Sequence, residues 1–228
     1  MRHYFEIQSA FMQDENKSLR TLEEIKQLMA KSSRFISLSG WSGIAAGACA
    51  LVAAWIAHQK IKQFSLENAA DNSIVRGTYN FPAGYRYLEF QLIWLAAVTF
   101  AAAFILAYLF TYLRSRKTGA PVWGYTARKL MINVAVPMIA GGLLIWRMMD
   151  MNYYGLIAPA SLLFYGLALV NASKFTLPEI RYLGYFQLLL GVVNLWMTGY
   201  GLYFWAAGFG ILHILYGMVM WNKYERNQ

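Results

Sequence analysis

The first half of the chain contains two long stretches without a charged side chain. One covers residues 35–57 and the other residues 92–113. A helix needs roughly 20 mostly apolar residues to cross a hydrocarbon layer of about 30 Å, and both stretches are long enough. Backbone polar groups find no water inside hydrocarbon, so such segments must satisfy their hydrogen bonds internally, as helices do. The two stretches therefore predict membrane-spanning helices.

Further apolar segments follow the same pattern along the chain. The composition agrees, because 58% of the residues are hydrophobic and 14% are charged, whereas a soluble domain has about 25% charged residues. The six predicted spans cover residues 35–57, 87–113, 130–146, 153–170, 179–197 and 200–221. We predict an all-α, polytopic membrane protein with six transmembrane helices.

Lysine and arginine alternate between the two sides of these spans. Fifteen lie before the first span, in or directly beside the loops after the second and fourth spans, or after the sixth, and five lie in the other loops. Loops rich in Lys and Arg stay in the cytoplasm, so both termini are predicted to be cytoplasmic. The chain then divides into a cytoplasmic segment 1–34, a six-helix bundle 35–221 and a cytoplasmic tail 222–228. The net charge of +9 follows from this distribution, so no nucleic-acid partner is predicted.

Two segments outside the predicted spans have patterns of their own. Leu19, Leu22, Ile25 and Met29 recur at helical spacing among charges, which predicts an amphipathic helix in the cytoplasmic segment. This helix either lies on the inner headgroups or on the bundle, or it docks a protein partner. The external segment 59–86 is predicted to be a short helix or turn followed by a loop, either a plain surface loop or a cap over an outward cavity.

The start of the fifth span carries a capping signal. Thr176 is placed to cap the helix, Pro178 falls in its first turn, and Glu179 can reach back to the cap. The pattern predicts a purely structural role for these residues.

Small residues recur every four positions on two of the predicted spans. They are Ser39, Gly43 and Gly47 on the first span and Ala206 and Gly210 on the sixth. Such faces let helix backbones approach closely in a membrane. We predict that they pack within the chain, with contact between subunits of a homo-oligomer as the alternative.

His213 lies near the middle of the sixth predicted span, after Gly208 and Gly210. An ionisable side chain at membrane depth is costly and is therefore a candidate site. It is either a neutral histidine that donates one hydrogen bond to a neighbouring helix, or a residue that binds a ligand, a proton or a cofactor. His58 ends the first span at a different depth, so the two histidines do not match as haem ligands. No spacing typical of metal ligands occurs, and neither metal nor cofactor is predicted.

A second set of polar residues gathers toward the predicted outer face. Its members are Glu89, Gln91, Arg147, Asp150, Asn152 and Asn194. Arg147 and Asp150 can pair along a helix end, or Glu89 can neutralise Arg147 across the bundle. Together with His58 these residues would line an outward polar vestibule, or else they only reach to the headgroups. Gln187 and Asn133 lie deeper and are predicted to form interhelical hydrogen bonds.

The sequence Gly40-Trp41-Ser42-Gly43 is similar to the Gly-x-Ser-Gly motif of rhomboid intramembrane proteases, which also have six spans and a histidine in the last one. The resemblance implies a dyad of Ser42 and His213, in which the histidine activates the serine. The chain departs from the family because the motif lies in the first span and no His-x-x-x-Asn occurs.

Residues 165–176 and 209–217 read YGLALVNASKFT and FGILHILYG. They resemble small uncharacterised inner-membrane proteins of Gram-negative bacteria, over about the last 70 residues. The resemblance implies a multi-pass protein of the bacterial inner membrane and no particular activity.

Three classes of function remain open from these residues. We expect a non-enzymatic sensor, accessory or scaffold subunit in which the bundle is mostly packing and the N-terminal amphipathic helix binds a partner. The alternative is a small-solute or ion channel or transporter with the outward vestibule, and a remote alternative is an intramembrane enzyme using Ser42 and His213. The first class is favoured because no span has the density of polar residues that a conduction path usually needs.

Overall fold

A computed structural model describes residues 39–67, 85–118 and 123–226. This part of the chain contains no strand, which confirms the predicted all-α class. Its long helices are α1 Gly40–Glu67, α2 Tyr85–Thr118, α3 Tyr125–Asp150, α4 Ile157–Ala172 and α5 Glu179–Trp196. The last helix, α6, is built from three consecutive segments: α-helical Gly201–Trp205, π-helical Ala206–Leu212 and α-helical His213–Tyr224. The amphipathic helix predicted near residues 19–29 lies outside the described residues.

Five of these helices are long and apolar enough to cross a membrane. They are α1, α2, α3, α4 with its preceding turn, and α6 with its preceding turn. α5 is less hydropathic because Glu179, Arg181, Gln187 and Asn194 all fall within its 18 residues. The described part is therefore that of a membrane protein with several spanning helices.

The helices extend beyond the predicted spans. α1 continues for ten residues past residue 57, to Glu67, and α3 begins before residue 130 and ends after residue 146. The predicted external helix therefore exists, but as a continuation of α1. Residues 68–84 of the external segment lie outside the described residues.

The bundle has a central group and two peripheral helices. α1 packs between α2 and α6, and α4 packs between α3 and α5. The π-helical segment and first turn of α6 also contact α4 and α5, which joins the two halves. In the most apolar part of α2 no residue is buried. In the most apolar part of α3, 6% of the residues are buried. Both peripheral helices thus offer most of their surface to hydrocarbon.

Glycines allow α1 and α6 to pack backbone against backbone. A Cβ atom on Gly217 would lie 2.6 Å from the carbonyl oxygen of Gly40, and one on Gly47 would lie 2.6 Å from that of Gly210. Gly43 of the predicted small-residue face meets the backbones of His213 and Gly217. The prediction that this face packs within the chain is confirmed.

The interior is unusually polar and the surface unusually apolar. The largest fully buried side chains are Leu162, Met220, Gln187, Asn194, Thr176 and Pro159, and half of these are polar. Phenylalanine, tryptophan and isoleucine side chains of α2 and α3 are instead exposed. Polar groups inside and apolar groups outside are the distribution expected when lipid is the solvent.

One end of the bundle is tied by a group of side chains, which we name the helix-end cluster: Ser39, Gly40, Arg114, Glu179, Lys223, Tyr224 and Glu225. The Gly40 N–H and an Arg114 Nη donate to Oε1 of Glu225, at 2.6 and 2.7 Å. The Ser39 hydroxyl donates to the other carboxylate oxygen of Glu225, Oε2, at 3.3 Å. The cluster joins the beginning of α1 to the ends of α2 and α6.

The predicted capping role of Glu179 is wrong. Pro178 is the N-cap of α5, and its side chain makes no cap hydrogen bond. Oε1 of Glu179 instead accepts hydrogen bonds from Lys223 and from the Tyr224 hydroxyl. The carboxylate therefore ties the start of α5 to the end of α6, because two donors on α6 satisfy it better than its own helix end does.

Candidate functional site

The polar interior is organised around the π-helical segment of α6. Gly208 lies in this segment, and its Cβ position would fall 2.5 Å from Oε1 of Gln187 and even closer to the side chain of Leu162. Any larger residue at position 208 would therefore force the side chains of Leu162 and Gln187 to shift where α6 meets α4 and α5. π-Helical turns inside α-helices are frequent at functional sites. This crossing is the best candidate site in the described part of the chain.

His213 follows the π-helical segment and is 7% exposed. Its Nδ1 lies 2.9 Å from the carbonyl oxygen of Gly208, and its Nε2 lies 2.7 Å from the hydroxyl of Tyr165 on α4. A carbonyl oxygen can only accept, so Nδ1 carries a proton. Burial in the bundle disfavours a charged ring, so Nε2 carries no proton and accepts the hydrogen bond of the tyrosine. The ring is thus a neutral histidine with both nitrogen atoms hydrogen-bonded inside the bundle.

Gln187 of α5 reaches the same carbonyl group. Its Nε2 donates to the oxygen of Gly208 at 2.9 Å, and its residue is fully buried. The predicted interhelical hydrogen bond of Gln187 is therefore present. That of Asn133 is also present, because the Asn171 amide donates to the Asn133 Oδ1 at 3.4 Å, as well as to its backbone carbonyl oxygen at 3.1 Å.

Asn194 does not belong to an outward vestibule. It is fully buried, and its amide donates to the carbonyl oxygen of Met197 at the end of α5. The side-chain oxygen atoms of Gln187 and Asn194 are both buried without a hydrogen-bond partner. Buried polar atoms normally have partners, so these two are exceptions that mark the polar interior.

The other residues predicted for the outer face form separate small groups. Glu89 interacts with the hydroxyl of Tyr154, which also donates to Asn152 at 3.2 Å. Arg147 pairs along its own helix with Asp150 at 3.8 Å, and the two side chains are 69% and 52% exposed. The structure thus favours the predicted local pairing of Arg147.

His58 and Gln91 lie on other parts of the same end. The exposed ring of His58 packs on Tyr203, with ring centroids 6.0 Å apart. Tyr203 precedes His213 by ten residues, or roughly 15 Å of helix. Gln91 accepts a hydrogen bond from Lys60 at 2.7 Å, beside a cleft of about 320 Å³ between α1 and α2.

The chemistry that this arrangement supports is limited. Ser42 donates its hydroxyl proton to the carbonyl oxygen of Ser39, while His213 bonds to Tyr165 and Gly208, so the structure does not join Ser42 and His213 as a dyad. Among the described residues, no group of three His, Cys, Asp or Glu side chains is placed to hold a metal ion.

Sequence reasoning missed Tyr165, although a signal for it exists. Tyrosine is enriched at the two membrane interfaces, where its hydroxyl is hydrated. Tyr165 instead lies in the middle of α4. A phenol at that depth needs a hydrogen-bond partner inside the protein, and a histidine at similar depth is an obvious one.

Comparison with known proteins identified no relative of this chain. No protein-family model matches the chain, and neither a curated protein nor a solved structure matches it.

Proposed function

We propose that the chain crosses the bacterial inner membrane six times, with α5 as the fifth span and both termini in the cytoplasm. The length of α5 supports this, since 18 residues extend about 27 Å and a hydrocarbon core is about 30 Å thick. Its most polar side chains deep in the helix, Gln187 and Asn194, are fully buried and therefore shielded from lipid. The helix-end cluster also brings together the helix ends that alternating spans would place on one side, where the lysines and arginines are concentrated.

This topology predicts opposite labelling on either side of α5. In a Cys49→Ala background, single cysteines at Lys174, Gly199 and Asn222 are treated with a membrane-impermeant maleimide. Gly199→Cys is expected to react in intact spheroplasts, and Lys174→Cys and Asn222→Cys only after lysis. Reaction of Lys174→Cys and Gly199→Cys from the same side would show that α5 does not cross.

The chain serves as a non-enzymatic sensor, accessory or scaffold subunit in this proposal. The hydrogen bonding of His213 carries the proposal, because both ring nitrogen atoms are committed to Tyr165 and Gly208. The imidazole of His213 therefore holds helices together, and neither of its nitrogen atoms has a lone pair free for a substrate. The amphipathic helix predicted within residues 1–34 is the proposed contact for a protein partner, which is a soluble protein or another membrane subunit.

Transport is the second candidate, and the cleft between α1 and α2 favours it. Lys60, Gln63, Glu67 and Gln91 contribute polar groups to this cleft at the proposed outer end. Among the residues that the structure describes, its lining comes from α1 and α2, and none of the lining residues belongs to the polar interior around Gly208. A route for solutes would have to connect the two, and we therefore favour the subunit.

If the chain is a subunit, it should be part of a larger protein complex and should not conduct ions or small solutes. In mild-detergent extracts of native membranes, the chain is expected in a particle larger than the purified chain. Replacing Leu22 and Ile25 on the apolar face by aspartate should shrink that particle, whereas replacing Glu23 and Gln27 by serine should not. Liposomes that contain the purified chain should leak ions and small solutes no faster than empty ones.

A particle no larger than the isolated chain, together with flux through the reconstituted protein, would refute the subunit and favour transport. Particle size is measured by gel filtration against the purified protein in the same detergent. Flux is measured with entrapped dyes that respond to potassium and pH.

A further inference from the structure

Two adjoining hollows lie between α1 and α2, at the end of the bundle opposite to the helix-end cluster. One is the cleft of about 320 Å³, whose polar groups come mainly from α1. The other has a volume of about 260 Å³ and a mostly apolar lining that includes Phe90 and Trp94 of α2. Lys60, Tyr87 and Gln91 line both hollows, so the two form one groove, which we name the α1–α2 groove.

The α1–α2 groove arranges its chemical groups in order along the bundle axis. The Lys60 ammonium donates to Oε1 of Gln91 at 2.7 Å and therefore lies where the two hollows meet. From Gln91, α2 continues past Trp94 into the membrane, while α1 continues from Lys60 to Glu67 and away from it. An apolar surface, a cation and a carboxylate thus follow one another from the hydrocarbon outward.

A hydrogen bond along α1 holds the carboxylate of Glu67 near Lys60. Nε2 of Gln63 donates to Oε1 of Glu67 at 2.8 Å, so the carboxylate lies over the turn of Gln63. Gln63 follows Lys60 by three residues, or about 5 Å of helix. Within the described part of the chain, Oε2 of Glu67 and the side-chain oxygen of Gln63 accept no hydrogen bond. Two oxygen acceptors are therefore available about 5 Å from the cation.

Neither charge of the groove has an opposite charge beside it among residues 39–67, 85–118 and 123–226. The ion pairs of this part of the chain involve neither Lys60 nor Glu67. An ammonium group has three N–H donors, and Gln91 uses one of them. Lys60 lies three residues past the predicted end of the first span, so it lies about 5 Å beyond the hydrocarbon, within the layer of lipid headgroups.

We propose that the α1–α2 groove binds one phospholipid whose headgroup joins a phosphate to a primary ammonium, as in phosphatidylethanolamine. The phosphate accepts hydrogen bonds from Lys60, and the ammonium donates to Glu67 and Gln63. Ethanolamine places only two carbon atoms between these charges, which suits the short distance from Lys60 to the carboxylate. An acyl chain of the same lipid lies along Phe90 and Trp94. Binding is non-covalent.

The order of charges distinguishes this lipid from other phospholipids. A headgroup without an ammonium leaves the Glu67 carboxylate unpaired next to the negative phosphate. A choline headgroup carries a positive charge but has no N–H to donate to Glu67 or Gln63. The site goes beyond the proposed subunit role and does not depend on it. A lipid in this position would also explain the polar groups of the cleft without a route for solutes.

Native mass spectrometry of the purified chain tests the proposal. The chain in detergent is titrated with phosphatidylethanolamine, phosphatidylglycerol or phosphatidylcholine of identical acyl chains, and the Kd of the first bound lipid is measured. Phosphatidylethanolamine is expected to bind about fivefold more tightly than the other two, the factor expected for one exposed ion pair. Glu67→Gln should remove this preference by weakening phosphatidylethanolamine alone. Lys60→Gln should weaken all three lipids, because each carries the phosphate.

Lys62→Gln and Asp150→Asn are the matched controls, since both side chains are exposed at the same end and neither lines the groove. They should leave every Kd unchanged. Phosphoethanolamine, the headgroup without acyl chains, should not displace the bound lipid at the same concentration. Equal affinity for the three lipids, a preference that survives Glu67→Gln, or displacement by phosphoethanolamine overturns the proposal. Because the isolated chain is used, such a failure leaves the complex and flux results untouched.

Discussion

Replacing Gly217 by alanine is expected to push α6 away from α1 and to lower the apparent Tm by several degrees. The added Cβ would lie 2.6 Å from both the carbonyl oxygen of Gly40 and the backbone nitrogen of Ile44. Backbone atoms cannot rotate aside as a side-chain end can, so the two helices must separate. Overpacking of this kind costs about 1–3 kcal/mol. Thermal unfolding of the purified protein in detergent measures the effect.

Gly142→Ala is the matched control for this substitution. Gly142 lies inside α3, and a Cβ there would have no neighbour within 4 Å. Alanine also stabilises a helix by about 1 kcal/mol relative to glycine. The control should therefore unfold at the same temperature as the parent or slightly higher. Equal Tm values for Gly217→Ala and the parent would contradict the close approach of α1 and α6.

Replacing Arg114 by methionine is expected to have the second large effect. Arg114 and Glu225 are 2.7 Å apart, and their side chains are 9% and 14% exposed. Breaking a buried ion pair from one side costs about 3–5 kcal/mol, because the remaining charge stays buried without its partner. Glu225 also accepts a hydrogen bond from the backbone N–H of Gly40, so the start of α1 should be destabilised as well. The loss is measured as a lower Tm and faster proteolysis of the end of α6.

A double-mutant cycle and a surface control make this result specific. Arg114→Met with Glu225→Met removes both charges and should recover part of the stability that Arg114→Met loses. Arg147→Met breaks the exposed pair with Asp150 and should cost less than about 1 kcal/mol. If Arg114→Met costs no more than Arg147→Met, the helix-end cluster does not hold the bundle together.

The candidate site was only partly predictable from the sequence. His213 and Gln187 were recognisable, because polar side chains inside an apolar span need a reason to be there. The structure joins them through the single carbonyl group of Gly208, a contact that depends on the π-helical widening of α6. No sequence pattern marks that widening. The outer residues looked like one group in the sequence, but Glu89 and Arg147 pair with different neighbours.

The contacts of the helix-end cluster were harder to foresee. The pattern around Thr176 and Glu179 is typical of a helix cap, and local spacing favoured that interpretation. In the structure Lys223 and Tyr224 bind Glu179 instead, although they lie more than 40 residues away along the chain. Donors that are distant in sequence can bind Glu179 in place of the groups of its own helix end only when the tertiary fold brings those donors near. Arg114 and Glu225, which are 111 residues apart, illustrate the same limit.

The sequence left open whether the small-residue faces pack within the chain or between subunits, and the structure places α1 against α6. The sequence by itself determined that hydrocarbon surrounds this chain and that it is helical. Those properties follow from local composition and spacing, because the transfer of each segment into lipid depends mainly on its own side chains. The six-span count with cytoplasmic termini stays a prediction. Only the tertiary structure decided which polar atoms meet inside the bundle, because hydrogen bonds act over about 3 Å and depend on how distant helices cross.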